Sequence, residues 1–341
     1  MPGTIGIIAN PVSGKDIRRL VANAPSSTLQ EKYTIVRRLV LGAAAVGADQ
    51  FWFMSEPHRI CARAVETLGL EGVRYDHVPL QERFDESDTV RTVAAMEELD
   101  CSVVIVLGGD GTNRAAALGW PDLAVIPIST GTNNVFPRFV EATVAGQAAG
   151  LVATGQVALE EVADTAKRIE VRVEGEDQLD LALIDAVLVD ERFVGSRALF
   201  DPTALRLAVL SRSEPAAVGV SSLGGLVLPC GAGEEGGVLV RFAPLGDAPR
   251  RVRAPLAPGW YAEVGLAETR RLADGEAVEV AGPGILAFDG ERQRLLKEGQ
   301  RAWLRVTRNG PRVIDVTRAM ALAAERGVFV RTGRYSHLMN W

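Results

Sequence analysis

The sequence predicts an N-terminal α/β domain with a parallel, Rossmann-like sheet, followed by a mainly antiparallel β domain. Three observations carry this expectation. Over the first 150 or so residues, strand-like and helix-like segments alternate, the pattern of a sheet whose parallel strands are linked by helices. After about residue 153, short apolar runs follow one another, separated by Gly, Pro and Asp-Gly turns with few helical periods between them. At 341 residues, the chain is also too long for one typical core.

In the first half, TIGIIA (Thr4–Ala9), DQFWFM (49–54), GVRYDHV (72–78), CSVVIVL (101–107) and LAVIPI (123–128) read as strands. Their nearly continuous apolar character suits strands buried on both faces. Helical patterns fill 31–47, 57–69 and 86–99, the last with Val90, Val93, Ala94 and Leu99 roughly on one face. In the second half the strand candidates are 168–173, 181–189, 205–210, 237–242, 260–266, 277–282, 284–288 and 301–306. A final helical pattern at 316–327 is placed to pack back on the first domain. The expected division is therefore 1–153, completed by 314–341, for the α/β domain and 154–313 for the β-rich domain.

Composition excludes several classes of function. The chain is 47% hydrophobic and 23% charged, ordinary for a folded protein, and its formal charge is −6 with no basic tract. That argues against a nucleic-acid groove or a patch for anionic membranes. Cys61, Cys101 and Cys230 are far apart, show no metal spacing and read as reduced. The N-terminus lacks the basic flank of a signal peptide, and no apolar stretch is long enough to cross a bilayer. A cytoplasmic protein is expected.

Chemistry is concentrated at the ends of three strands, where open α/β sheets bind ligands. The first is VVIVLGGDGTNR, in which Gly108, Gly109 and Gly111 surround Asp110 ahead of a helix starting near Thr112. Glycine allows positive φ and close backbone approach, and a helix N-terminus attracts anions, so the turn reads as a phosphate cradle. Asp110 is then explained by a divalent cation or an acceptor proton between it and the phosphate. A tight turn with Asp110 as helix cap explains an isolated match equally well. The second is IIANPVSGK, which puts Asn10, Ser13, Gly14 and Lys15 after the first strand; it lacks the P-loop spacing. The third is IPISTGTNNVFP, with Ser129, Thr130, Gly131, Thr132, Asn133 and Asn134 after the fifth strand. Each alone is commonly a capped turn. Three such loops at the ends of three strands on one edge are hard to explain as punctuation.

The ordered set N-P-x-S-G-K, G-G-D-G-T and G-T-N-N-x-F, with FDGE (288–291) in the β-rich half, resembles the superfamily of NAD kinases, diacylglycerol kinases and sphingosine kinases. Within it, LGGDGTNR and PISTGTNNVFP are most similar to the ATP-NAD kinase-like group that includes acetoin catabolism protein X. The resemblance spans essentially the whole chain. It implies the two-domain fold of these kinases, with the active site in the cleft between the domains. It also implies ATP with Mg²⁺ and phosphoryl transfer to a hydroxyl of a small soluble acceptor. On this basis Asn10, Ser13, Gly14, Lys15, Gly108, Gly109, Gly111, Thr112, Ser129, Gly131, Thr132 and Asn133 are expected to hold the nucleotide. Asp110, Asp289 and Glu291 are expected to be catalytic, with Asp110 and Asp289 facing the metal.

For Asp289 and Glu291 a plain hairpin with an Asp-Gly turn is a competing explanation; in a strand, the two side chains would share a face. NAD kinases pair an Asn-Glu segment with a Gly-Ser-Thr-Ala-Tyr-like loop. Here the corresponding places hold Asp185 and Ser221–Gly225, neither a match, so the resemblance does not reach NAD as acceptor. Nothing advertises the membrane docking of a lipid kinase, which stays as an alternative beside a non-catalytic nucleotide sensor. GAGEEG (231–236) meets G-x-G-x-x-G literally but precedes a strand-like run, and is rejected as a dinucleotide site. The arginine-bearing segment 192–206 reads as a solvated face rather than an acceptor loop. The expected partners are a nucleotide and a small acceptor, without nucleic acid or membrane, in a homodimer.

Overall fold

The computed structural model describes residues 3–11, 28–131, 133–190 and 201–330. Five strands form the parallel core of the first sheet: β1 (Thr4–Ala9), β2 (Gln50–Phe53), β3 (Arg74–His77), β4 (Val103–Gly108) and β5 (Ala124–Ser129). They pair in the order β3-β2-β1-β4-β5. Two strands from later in the chain extend this sheet. These are β6 (Ala163–Thr165), antiparallel, and β18 (Arg312–Ile314), parallel to β5. The first sheet thus draws on chain from both sides of the β-rich half, past residue 153 and from Arg312 onward.

Both faces of this sheet are covered, which is why its strands are apolar throughout. Ile5, Ile7 and Ala9 pack against α1 (Leu29–Ala44), α5 (Ala142–Ala153) and α8 (Val316–Glu325), while Ile8, Val104 and Val106 belong to a second cluster with Met96 and Ala116. α1 and α5 approach so closely that a Cβ on Gly146 would overlap the carbonyl of Leu39, and glycine is required there. α3 (Ser87–Glu98) buries Thr89, Thr92, Val93 and Met96; Val90 and Ala94 are only half-buried, so its inward face is rotated from the expected one.

The β-rich half is a sandwich. A seven-stranded antiparallel sheet contains β12 (Arg250–Ala257), β13 (Trp260–Leu272), β11 (Gly237–Ala243), β10 (Leu205–Leu210), β9 (Asp185–Val189), β15 (Gly284–Phe288) and β16 (Glu291–Leu296), in that order. A four-stranded sheet has the order β14 (Ala277–Ala281), β17 (Arg301–Thr307), β7 (Arg168–Val173), β8 (Asp180–Ala182). Ile169, Val171, Leu304 and Val306 from one sheet meet Leu207, Val209, Leu286 and Phe288 from the other. The apolar run 181–189, expected to be one strand, is two: β8 and β9 lie in different sheets, and the chain crosses between them at Leu183–Ile184. None of the helices described is long and apolar enough to cross a membrane.

Candidate active site between the two domains

β4 is buried along its length and ends at Gly108. α4 (Asp110–Gly119) starts two residues later, with Gly109 as its N-cap in an extended conformation and no side chain capping it by hydrogen bond. Asp110 is therefore the first helical residue, not the cap. The three glycines avoid positive φ, so the backbone freedom expected of them is not what the turn uses. Space is. A Cβ on Gly108 would come within 2.5 Å of the Thr112 side chain. On Gly109 it would lie 2.9 Å from Asn134 Oδ1, and on Gly111 2.5 Å from Glu291 Oε1.

The Asp110 carboxylate reaches across to the loop that follows β5. Its Oδ1 accepts from the Phe136 N–H (2.8 Å), and Val135 N–H donates to both of its oxygens (3.1 Å each). In the same loop Ser129 Oγ donates to the Gly131 carbonyl (2.7 Å) and accepts from Asn134 Nδ2 (2.9 Å). Two buried amide oxygens here, Asn113 Oδ1 on α4 and Asn133 Oδ1 in the loop, have no hydrogen-bond partner. At the end of β1, Asn10 Nδ2 donates to Thr112 Oγ1 (2.9 Å), which ties the first loop to the glycine turn. Ser13, Gly14, Lys15 and Thr132 lie outside the described residues, as does most of the arginine-bearing segment.

The late carboxylates arrive on a hairpin from the β domain. Phe288 pairs with Glu291, and Asp289 (φ 50°) and Gly290 (φ 81°) make a two-residue turn with both φ values positive. Asp289 is thus in a turn, and strand alternation does not set its direction. Its carboxylate turns back into the protein and accepts from the N–H groups of Leu183 (2.8 Å), Ile184 (2.7 Å) and Asp185 (3.1 Å). This clamp is what holds the crossing between β8 and β9. Glu291 is exposed and stands against Gly111. One hairpin therefore sends one carboxylate into the β domain and the other over the N-terminus of α4.

Burial and the neighbouring charge of Asp110 push the Asp289 carboxyl up to about 7, against the three amides that favour its ionised form. With the folded value above the ordinary 3.8, its contribution to stability is complete below pH 3.8. It is lost as pH rises through about 7 and is level above that. Asp289→Asn should flatten this part of the profile. Urea unfolding between pH 4 and 8 checks it; equal slopes in wild type and variant would show that Asp289 stays ionised in the fold.

Four basic residues that no sequence pattern singled out complete the site's surroundings. Arg114, 2% exposed, crosses from α4 to the β domain: Nη2 meets Asp180 (2.7 Å), Nε donates to the Leu181 carbonyl (2.7 Å), and Nη1 meets Glu86 (2.6 Å). Its guanidinium also lies 5.4 Å from the centre of the Phe288 ring. Lys32, fully buried, donates to the carbonyls of Asn10 (2.7 Å) and Pro11 (3.2 Å) and so shapes the first loop. Arg212, just past β10, stacks on Phe136 at 4.8 Å, and burial lowers its pKa to about 10. Arg138, in the loop after β5, is among the charges that act on Arg212. The one available signal was an arginine inside the alanine-rich face of α4, where a charge has to find a partner.

Asp185 begins β9, and Ser221–Gly225 fall in the short helix α7 (Val220–Gly225). Ser221 Oγ donates to the Arg212 carbonyl (2.8 Å) and accepts from the Glu214 N–H (3.2 Å), so it holds the turn that carries Arg212.

Comparison with known proteins agrees with this architecture. The model of the ATP-NAD kinase N-terminal domain matches residues 5–157, and that of the acetoin catabolism protein X C-terminal domain matches 167–309. Acetoin catabolism protein X of Cupriavidus necator is 35% identical over 328 residues, covering 93% of this chain and 91% of its own. The chain belongs to the acetoin catabolism protein X family.

The fold of this family member is that of NAD kinases. Yeast NADH kinase, solved with NADH, superposes with a TM-score of 0.52 at 12% identity, over 99% of this chain and 91% of its own. A putative diacylglycerol kinase from Bacillus anthracis str. Sterne gives 0.45 at 14% identity, over 91% and 97%.

The uncapped, glycine-flanked start of α4 suits a phosphate-bearing ligand, whereas the unpartnered amide oxygens beside it are acceptors and call for a donor or a cation. Among the described residues no group of three or more His, Cys, Asp or Glu could hold a metal by itself. A Mg²⁺ ion here would take most of its ligands from nucleotide phosphates and water, its usual habit.

Proposed function

We propose that the chain is a kinase that transfers the γ-phosphoryl group of ATP to a hydroxyl of a small soluble acceptor in the cleft between its domains. The observation that carries this reading is Glu291: a carboxylate from the β domain stands against Gly111, at the uncapped N-terminus of α4. An acidic group from one domain beside a free helix N-terminus of the other, an end that attracts anions, supports in-line phosphoryl transfer.

In this reading the turn at Gly108, Gly109 and Gly111, with Asn10, Thr112 and the loop from Ser129 to Asn133, holds the nucleotide. Ser13, Gly14, Lys15 and Thr132 would add further contacts to it. Mg²⁺, when bound with the nucleotide, would supply positive charge to offset the phosphates. Asp110 would face it, and Asp289 from behind would position the hairpin. Glu291 would orient the acceptor hydroxyl or take its proton. A cytoplasmic homodimer, acting without nucleic acid or membrane, is part of the same proposal.

The test is incubation of the purified protein with ATP, Mg²⁺ and a panel of hydroxylated metabolites, read by mass spectrometry. ADP formed in step with a phosphorylated acceptor supports the kinase. Nucleotide binding without turnover across the panel supports a sensor, a reading favoured by the backbone hydrogen bonds that both Asp110 and Asp289 already make.

Glu291→Gln should lower kcat by about a hundredfold, the usual scale for a positioned acid–base group. ATP affinity should hold or tighten, because a carboxylate next to phosphate is repulsive. Steady-state kinetics with calorimetry reads both; a wild-type kcat would reduce Glu291 to a hairpin residue.

A further inference from the structure

The Arg212 guanidinium is buried beyond what its partners explain. The side chain is 6% exposed and leaves the β domain just after β10 to lie on the ring of Phe136, in the α/β domain. It has five N–H donors. Its Nε is buried with no hydrogen-bond partner, and its protein bond is a long one from Nη1 to the Val135 carbonyl, 3.4 Å. Among the described residues no carboxylate comes within ion-pair distance of it. Arg114, buried to a similar degree in the same cleft, shows the contrast, with two carboxylates and a carbonyl on its three nitrogens. A buried guanidinium is costly unless its donors are met, and the fork is suited to two oxygens of one oxyanion. The aromatic stack and the Ser221 bond to its carbonyl fix the direction of the fork.

We infer that Arg212 is a specificity residue that receives an oxyanion group, phosphate or carboxylate, carried by the acceptor. This deepens the kinase reading and rests on it for the word acceptor. The chemistry follows from where the residue starts. Arg212 comes from the β domain, opposite the α4 end where the nucleotide's phosphates are proposed to lie. Its electrostatic neighbours include Asp110, Asp289 and Glu214, against Arg138. An anion seated on the fork would be drawn by the guanidinium, while the surrounding carboxylates repel its charge and so turn its neutral, hydroxyl-bearing end inward.

The experiment is titration of inorganic phosphate, and separately acetate, into the full chain, with Mg²⁺ and the non-hydrolysable analogue adenosine 5′-(β,γ-imido)triphosphate present. Calorimetry is run on wild type, Arg212→Met and Arg212→Lys. The expected result is at least about tenfold weaker anion binding in Arg212→Met, the scale of a lost charged hydrogen bond. Arg212→Lys should fall between, keeping the charge without the fork. Affinity for the nucleotide analogue should stay within about twofold, and Arg212→Met should melt no lower than wild type without anion. The anion that binds more tightly tells a phosphate-bearing acceptor from a carboxylate.

Anion binding equal to wild type in both variants overturns the inference, as does parallel loss of nucleotide affinity, which would move Arg212 to the nucleotide. A lowered melting temperature with unchanged anion binding would make Arg212 structural, against the inference. Should Arg212→Met not fold, Arg212→Lys decides by the same comparison. Failure of the analogue to bind at all would count against the kinase and leave the phosphate comparison readable.

Discussion

Arg114→Leu should destabilise the protein by about 3 kcal/mol, the lower end of the 3–5 kcal/mol expected when one partner of a buried ion pair is removed. The substitution deletes the bonds to Asp180, Glu86 and the Leu181 carbonyl and the ring contact with Phe288 in one step. Asp180 is left buried, but Arg294 still donates to its other oxygen at 3.1 Å, and Leu fills part of the lost volume. The loss should therefore stop short of the full range. Urea unfolding measures it. The double variant Arg114→Leu/Asp180→Leu should recover part of the loss, because it no longer leaves a buried charge half-paired. A single-variant loss below about 1 kcal/mol would mean that water reaches Asp180 and that the two domains are held by other contacts.

Asp110→Asn should keep the fold and lower turnover by at least about a hundredfold once an acceptor is found. Its Oδ1 accepts from both Val135 and Phe136, and asparagine retains that oxygen, so the loop after β5 stays pinned. What disappears is the charge at the head of α4, where a metal-linked phosphate would be held. Asp110→Ala separates the two roles by removing the pin as well, and should add a loss of stability. Kinetics with circular dichroism reads both; near-wild-type turnover in Asp110→Asn would leave Asp110 as a loop anchor alone.

Much of this was legible along the chain. The first five strands of the seven-stranded first sheet and the long helix after the first of them come from local periodicity, which needs no knowledge of distant residues. The glycine turn could be placed at a strand end for the same reason, and the second half reads as β because its apolar runs are short and separated by turn residues. The hairpin at Asp289–Gly290 is equally local.

Partners were not legible. Arg114 finds Asp180 66 residues away, and Asp289 finds the Leu183 amide at a separation of 106, distances over which no spacing rule operates. The run 181–189 looked continuous because its apolar character is continuous; the fold breaks it, since Asp289 claims the amides at its middle. The sequence by itself determined most of the strands and helices and which loops are rich in glycine, hydroxyl and amide groups, because these follow from neighbours along the chain. The tertiary structure decided the rest. It set why Gly108 is needed, for room against the Thr112 side chain rather than for positive φ. It also set which buried charges converge, because a charge taken out of water must be met by whatever the packed domains bring within reach.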